Sequence, residues 1–143
     1  MKPMPDKKKI FIDTNIWLYA FIQNQENEAK SNIAKEVITS GDIFISTQVI
    51  GEICVNLIKK AGFKEEQISN LIISFFESYP VIEVDSEIML SASQLRAKYN
   101  FSYWDSLIVA CGLAANAEIL YSEDMQNGLV VEEKIKIINP FAK

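Results

Sequence analysis

Short runs of apolar residues alternate along the chain with longer segments in which apolar residues recur at every third or fourth position. The short runs are bounded by polar residues and are typical of strands buried on both faces of a sheet. The longer segments are typical of helices that bury one face. The pattern predicts strands at residues 10–12, 43–45, 81–84 and 119–121, with 134–138 as a fifth candidate.

The same pattern predicts six helices, several of them with recognisable ends. Gly62 and Pro80 each follow a segment with helical spacing, and both are typical of residues that end a helix. Asp85 or Ser86, and later Ser102, are typical of residues at which a helix begins. The predicted helices cover residues 15–22, 28–40, 47–61, 65–79, 86–99 and 103–115.

Strands that alternate with helices predict a parallel sheet covered by helices on both faces. The length of 143 residues fits one domain, and no repeat, low-complexity tract or linker divides the chain. We therefore expect a single α/β domain over residues 1–143. Residues 1–8, which include Pro3 and Pro5, are expected to form a loose lead-in.

Composition restricts the chemistry that this chain can perform. It contains no histidine, which excludes Ser-His-Asp and Cys-His catalysis and most zinc or non-haem iron sites. Nineteen acidic and fourteen basic residues give a net charge of -5. A nucleic-acid partner would have to be held by local features, because an overall field of that sign repels phosphates.

The two cysteines, Cys54 and Cys111, are too few for a disulfide framework or a cysteine-rich zinc site. Each lies among apolar residues at helical spacing, so we expect both to be small buried side chains. The uncharged stretch at residues 106–117 is far too short to span a membrane. These features favour a cytoplasmic protein.

Acidic residues recur where the predicted strands end. Asp13 follows the first strand directly, and Asp124 follows the fourth after two residues. Glu52 lies in a helix that begins directly after the second strand, and Asp105 lies in the first turn of a later helix. Open parallel sheets bind ligands beyond the carboxyl ends of their strands. Asp13, Glu52 and Asp124 are therefore expected at one edge of the sheet, whereas the pattern leaves the position of Asp105 open.

Carboxylates in the absence of histidine are the ligands that hard cations such as Mg²⁺ and Mn²⁺ prefer. A divalent ion also relieves the repulsion between crowded carboxylates. Each of these acids has a structural alternative as well. Asp13 and Asp105 have the spacing of helix-capping residues, Asp124 that of a turn residue, and Glu52 lies off the apolar face of its helix.

Four short motifs occur along the chain in a recognisable order. Two of them are Ile10-Phe11-Ile12-Asp13-Thr14-Asn15 and Gly51-Glu52, and the others are Tyr103-Trp104-Asp105-Ser106 and Tyr121-Ser122-Glu123-Asp124. With these motifs the chain resembles the PIN domain family, and in particular ribonuclease toxins of the VapC type. The resemblance extends from about residue 9 to the carboxyl-terminal Asn139-Pro140-Phe141.

The resemblance implies a three-layer α/β/α domain with a central, mostly parallel sheet. It also implies an acidic cluster that binds Mg²⁺ or Mn²⁺ and hydrolyses phosphodiester bonds in RNA. Glu123 stands beside the last acid, so the fourth motif is open to a shift of one position. By position, the catalytic and metal-binding acids are Asp13, Glu52, Asp105 and Asp124, and the polar residues that support them by hydrogen bonding are Asn15 and Ser122.

The resemblance further implies a homodimer and a VapB-like antitoxin that covers the active site. One apolar helix face is compatible with either the core or a partner, and we expect it in the core. It consists of Ile68, Leu71, Ile72, Phe75 and Phe76.

Contacts to RNA are a hypothesis for the segment before the Asp105 helix. Arg96 and Lys98 are candidates for phosphate contacts, and the neighbouring aromatic residues are candidates for base stacking. Solvated cations and core aromatics are the alternative interpretation. The choice of substrate RNA is not predictable from this sequence.

Two other classes of protein remain open. Phosphotransferases of the haloacid dehalogenase type place a second aspartate two positions after the first, where this chain has Asn15. A receiver domain requires an acidic pair and a late lysine that the predicted elements do not supply. A non-catalytic PIN-like binding module typically lacks some of the acids. The presence of all four acids favours the nuclease over these alternatives.

Overall fold

A computed structural model describes residues 7–142, in which strands and helices largely alternate. The strands are Lys9–Ile12 (β1), Asp42–Ser46 (β2), Val81–Ile82 (β3), Ile119–Tyr121 (β4), Val130–Val131 (β5) and Ile135–Ile138 (β6). The helices are Thr14–Phe21 (α1), Glu28–Val37 (α2), Thr47–Ala61 (α3), Glu65–Ser78 (α4), Ser86–Lys98 (α5) and Tyr103–Ala114 (α6).

The strands form one sheet in the order β3-β2-β1-β4-β6-β5. Every neighbouring pair is parallel except β5 and β6. The first strand is central, with Phe11 paired to Phe44 of β2 on one side and to Leu120 of β4 on the other. The predicted α/β fold, a mostly parallel sheet flanked by helices, is confirmed.

The core lies on both sides of the central strand. Phe11 and Ile12 are fully buried because helices cover both faces of β1. Trp17 of α1 is also fully buried, and its ring meets the edges of Phe75 and Tyr79. The indole N–H of Trp17 donates to the carbonyl of Ile12 at 3.2 Å, so α1 is fixed directly to the end of β1.

Helix α6 has seven buried residues and packs closely on the sheet. A β-carbon at Gly112 would lie 2.8 Å from Cδ1 of Ile135 and 3.6 Å from Cβ of Phe11. The glycine therefore permits the short distance between α6 and the sheet. Cys111 beside it and Cys54 in α3 are buried free thiols, as predicted, and burial raises the pKa of Cys111 to about 11.

Several predicted boundaries are wrong. Helix α2 ends at Val37 rather than residue 40, because the hydroxyls of Thr39 and Ser40 donate to the carbonyls of Glu36 and Val37. Strand β3 covers two of its four predicted residues. It pairs only with the last residues of β2, which ends at Ser46 and offers no partner beyond that point.

Strand β5 was not expected from the sequence, and it forms a hairpin with β6. The turn passes through Glu132 and Glu133, both of which have positive φ angles. Glycine and asparagine are the usual residues in such a turn, so a turn formed by two glutamates is not recognisable from the sequence. The predicted strand at 134–138 is observed as β6, one residue shorter.

The apolar face predicted to lie in the core is divided. Ile68 and Phe75 of α4 are buried, but Ile72 and Phe76 are exposed, and the prediction is wrong for these two. Of the predicted lead-in, residues 1–6 lie outside the described part of the chain, and Lys7 and Lys8 precede β1. No helix within residues 7–142 has the length and apolarity needed to cross a membrane.

Candidate active site

The predicted acids lie on elements that begin or end at one edge of the sheet. Asp13 follows β1 immediately, and Asp124 follows its neighbour β4 after two residues. Glu52 lies in α3, which begins directly after β2, the other neighbour of β1. Asp105 lies in the first turn of α6. Because these strands are parallel, their carboxyl ends meet at the same edge.

Asp13 is buried and holds both of its carboxylate oxygens in hydrogen bonds. One oxygen accepts from the backbone N–H of Thr14 at 2.8 Å and so caps α1. The other accepts from the hydroxyl of Ser122 at 2.9 Å. The capping function and the candidate site function are therefore compatible, because α1 begins at the edge where the acids lie.

Burial raises the pKa of the Asp13 carboxyl to about 6 by removing it from water. The hydrogen bonds from Ser122 and Thr14 oppose this shift, and the negative charges of Asp105 and Glu52 add to it. Asp105 and Glu52 are therefore electrostatic neighbours of Asp13. A carboxyl in such a position releases its proton more readily when a cation binds beside it.

Glu52 is connected to this group through Thr14. The hydroxyl of Thr14 donates to one carboxylate oxygen of Glu52 at 3.1 Å, and the amide of Gln48 donates to the other at 2.7 Å. The sequence interpretation did not include Thr14 or Gln48. Gln48 was recognisable from its spacing, since residues four apart on a helix are neighbours.

Asp124 is held on the other side of Asp13. Its carboxylate accepts from the side-chain amide of Asn15 at 2.8 Å. The hydroxyl oxygen of Ser122 accepts from the backbone N–H groups of Asp124 and Met125, both at 3.3 Å. Asn15 is thus hydrogen-bonded to Asp124, and Ser122 joins the Asp124 loop to Asp13.

Glu123 is engaged elsewhere. Its carboxylate forms an ion pair with Lys30 of α2 and accepts from the hydroxyl of Tyr19 at 2.9 Å. The ammonium group of Lys30 lies 5.1 Å from the ring centre of Tyr19 and 5.3 Å from that of Phe141. Of the two neighbouring acids, Asp124 is therefore the one that is hydrogen-bonded to Asn15 at the candidate site.

Asp105 lies at the start of α6, where the hydroxyl of Ser102 accepts from its backbone N–H at 3.2 Å. Ser102 is therefore the helix cap. Within residues 7–142 the carboxylate of Asp105 has no hydrogen-bond partner, and it is partly exposed. It is thus available for a ligand, next to the charge of Asp13.

The oxygen atoms of this network that could coordinate a metal belong to carboxylate and amide groups, and such oxygens suit a hard divalent cation. Within residues 7–142, however, no three acidic or cysteine side chains form a group ready to hold a metal ion. The two observations agree for Mg²⁺, which proteins usually hold through one or two carboxylates while waters and substrate phosphates complete the coordination.

The cations proposed for RNA contact are both engaged within the protein. Arg96 donates to the hydroxyl of Ser106 at 2.6 Å and lies 4.5 Å from the ring centre of Tyr103. Lys98 forms an ion pair with Glu132 at 2.9 Å. These contacts favour a structural explanation for both residues.

The fold and the acids at the carboxyl ends of its strands together define the class of protein. A sequence model of the PIN domain family matches residues 10–126, so the chain belongs to the PIN domain family. The match includes all four acids. No curated protein matches the chain in sequence.

Solved structures extend the comparison at the level of the fold. A toxin–antitoxin complex from Klebsiella pneumoniae is similar with a TM-score of 0.69 and 18% identity, over 92% of this chain and 98% of that one. The Mycobacterium tuberculosis toxin VapC20, described as cleaving the sarcin–ricin loop, has a TM-score of 0.64 and 19% identity, over 80% and 89%. VapBC2 from Rickettsia felis, bound to promoter DNA, has a TM-score of 0.57 and 22% identity, over 81% and 88%.

Proposed function

We propose that the chain is a metal-dependent endoribonuclease that hydrolyses phosphodiester bonds in RNA with Mg²⁺ or Mn²⁺. The observation that carries the proposal is the continuous hydrogen-bonded network from Glu52 through Thr14, Asp13 and Ser122 to Asp124. This network gathers carboxylates from three parts of the chain at one edge of the sheet. Membership of the PIN domain family and the likeness to toxin structures support the same assignment.

In this proposal Asp13 and Asp105 are the direct ligands of the cation, and Glu52 and Asp124 contact it through water or orient the attacking water. Thr14 and Ser122 hold the carboxylates of Glu52 and Asp13 in place. When bound, the cation would lower the pKa of the attacking water and neutralise charge on the phosphate.

The test is cleavage of a cellular RNA pool with and without Mg²⁺ or Mn²⁺, with cut sites mapped by sequencing. We expect metal-dependent cleavage by the parent chain and its loss in Asp13→Asn. The matched control is Asp42→Asn, the same change at an exposed residue at the amino end of β2, on the opposite edge of the sheet. Equal cleavage by the parent and Asp13→Asn would show that the site is wrongly assigned.

Two other outcomes would identify the two alternative classes of protein, which the presence of all four acids disfavours. If the parent chain binds RNA but leaves it uncut with either metal, the protein is a PIN-like binding module. Transfer of phosphate to an aspartate in place of RNA cleavage would instead indicate the phosphotransferase class.

We further propose that the nuclease is the toxin of a VapBC-type pair, inhibited by a VapB-like antitoxin. The support is that similar structures come from toxin–antitoxin complexes. Expression of the parent chain is expected to arrest growth, whereas Asp13→Asn does not. Co-expression of a small protein encoded beside the gene should restore growth and co-purify with the chain. A PIN nuclease of RNA processing would lack such a neighbour.

A homodimer is part of the same proposal. Exposed apolar residues on α4, Ile73 and Phe76, support a partner surface. Light scattering should give twice the mass of one chain for the parent protein. Ile73→Ser is expected to reduce this measured mass. Leu90→Ser, at an apolar residue on α5 that is 65% exposed against 55% for Ile73, is the matched control.

A further inference from the structure

An apolar cleft adjoins the candidate active site. It has a volume of about 540 Å³ and lies between α3 and the start of α6. Glu52 forms part of its wall, so the cleft and the acidic network share a residue. Gln48, Gly51 and Val55 of α3 line one side, and Trp104 of α6 lines the other.

Trp104 is exposed but held in place. It is 63% exposed, and its ring meets that of Tyr103 edge to face, with ring centres 5.1 Å apart. Tyr103 is covered in turn by the guanidinium group of Arg96, which is fixed by its hydrogen bond to Ser106. A large aromatic surface is therefore presented to the cleft in a defined orientation, which lowers the entropy lost when a ligand stacks on it.

Gly51 keeps the opposite side of the cleft open. It lies in the interior of α3, where glycine destabilises a helix relative to alanine. A β-carbon at this position would have no other atom within 4 Å, so packing of the chain itself does not require glycine. A longer side chain at this position would extend into the cleft.

Gln48 supplies an unsatisfied polar atom beside the cleft. Its amide nitrogen donates to Glu52, but its amide oxygen is buried and has no hydrogen-bond partner within residues 7–142. A buried acceptor of this kind is costly unless a donor reaches it. A ligand with an N–H group at its edge would provide that donor.

We propose that this cleft is a base-stacking subsite, which takes an unpaired nucleobase next to the phosphate held at the acidic network. The inference rests on the proposed function, because Glu52 links the two places. A nucleobase has the flat face that Trp104 can stack on and N–H groups that can donate to the unpaired amide oxygen of Gln48. An uncharged base also tolerates a cleft whose walls, as far as residues 7–142 form them, carry a carboxylate and no cation.

Binding is measured in the Asp13→Asn background, which prevents cleavage, with a mixed-sequence single-stranded oligoribonucleotide. The chain has two tryptophans, and Trp17 is fully buried, so quenching of tryptophan emission by RNA reports on Trp104. We expect quenching that disappears in Trp104→Phe. Trp104→Ala is expected to raise the dissociation constant by about 5- to 150-fold, the range for loss of one stacked base.

Matched variants separate stacking from general effects. Gly51→Leu, which fills the cleft and leaves Trp104 intact, is expected to weaken binding in the same way. Trp104→Tyr should restore part of the affinity, because tyrosine also stacks. Leu90→Ala removes an exposed apolar residue of α5 and should leave binding unchanged. An abasic nucleotide, moved along the oligonucleotide, should weaken binding at one position in Asp13→Asn and at none when Trp104→Ala is added to it.

Each contrary result has a distinct meaning. If the parent chain cuts RNA and Trp104→Ala leaves the KM for RNA unchanged, the proposed subsite is wrong. The nuclease assignment then still stands. Conversion of a dimer to a monomer by Trp104→Ala, with unchanged RNA affinity per chain, would assign the cleft to contact between copies. If the parent chain neither binds nor cuts RNA, both the subsite and the proposed function are wrong.

Discussion

Two acidic residues make contacts that the sequence analysis treats as alternatives, namely a structural contact and a contact within the candidate site. Asp13 caps α1 with one carboxylate oxygen and accepts from Ser122 with the other. Glu52 lies off the apolar face of α3, as a solvated residue would, yet Thr14 and Gln48 hold both of its oxygens. The charged residues were identifiable because charge stands out in a sequence, whereas the neutral Thr14 was not.

Asp13→Asn should change how stability depends on pH. The folded chain raises the pKa of this carboxyl from 3.8 to about 6. The folded state therefore binds the proton more tightly, and stability falls as the pH rises from about 4 to 6, by about 3 kcal/mol. In metal-free buffer at pH 8 we expect the asparagine variant to be more stable by roughly 1–2 kcal/mol, since it loses one hydrogen bond but carries no charge.

Urea unfolding over a pH series with EDTA measures this difference. The advantage of Asp13→Asn should shrink below pH 6 and become a disadvantage below about pH 4, where the carboxyl is increasingly protonated in both states and the lost hydrogen bond remains. A constant difference between the two proteins across the series would contradict the raised pKa of Asp13.

Ser122→Ala should act on both stability and the pH profile. The variant removes the donor to Asp13 and the acceptor for two backbone N–H groups, so we expect a loss of about 1–3 kcal/mol in the free energy of unfolding. The pKa of Asp13 should rise above about 6, which moves the acidic limb of RNA cleavage to higher pH.

Ser31→Ala is the matched control for this variant. Ser31 is also buried, but its hydroxyl has no hydrogen-bond partner within residues 7–142, so its removal should leave stability nearly unchanged. Equal effects of the two substitutions would show that the Ser122 bonds contribute nothing specific.

At the scale of elements, the sequence predicts best where local chemistry sets a boundary. Gly62 ends α3 in the left-handed conformation, and Asp85 and Ser102 begin α5 and α6 through their side chains, as predicted. Prediction fails where pairing decides the outcome. The length of β3 depends on the end of β2, and β5 depends on a turn of two glutamates.

Gly51 within α3 and Gly62 directly after it should respond in opposite ways to alanine. Gly51→Ala is expected to raise the free energy of unfolding by about 1 kcal/mol, because alanine favours the helix interior and meets open space. Gly62→Ala should lower it by about 1 kcal/mol, because its φ of 67° is unfavourable for a residue with a β-carbon. Chemical denaturation of both variants provides the measurement, and a change of the same sign in both would contradict this account.

At the scale of the whole molecule, the sheet order determines which distant residues meet. The sequence predicted that Asp13, Glu52 and Asp124 share an edge because each lies close behind a strand of one parallel sheet. Asp105 could not be placed in this way. It follows a helix rather than a strand, and the direction of a helix-to-helix connection is not fixed by the sheet.

Divalent cations should stabilise the folded chain through this edge. A ligand at one hundred times its dissociation constant adds about 2.7 kcal/mol to the free energy of unfolding when it binds only the folded state. We expect Mg²⁺ to raise the melting temperature of the parent chain and of Asp42→Asn, but not that of Asp13→Asn. NaCl at equal ionic strength controls for screening, and equal stabilisation of all three proteins would place the ion elsewhere.

The central position of β1 has a consequence for biosynthesis. Strand β1 is made well before β4, and the site side chains of β1 lack their partners until then, because Asp13 is bound by Ser122, which lies 109 positions later in the chain. Asn15 and its hydrogen-bond partner Asp124 are also 109 positions apart in the chain. If the chain cuts RNA as proposed, a nascent or truncated copy that ends before Ser122 is harmless to the ribosome that makes it, and the ability to cut RNA arises only after β4 and the loop behind it have been made.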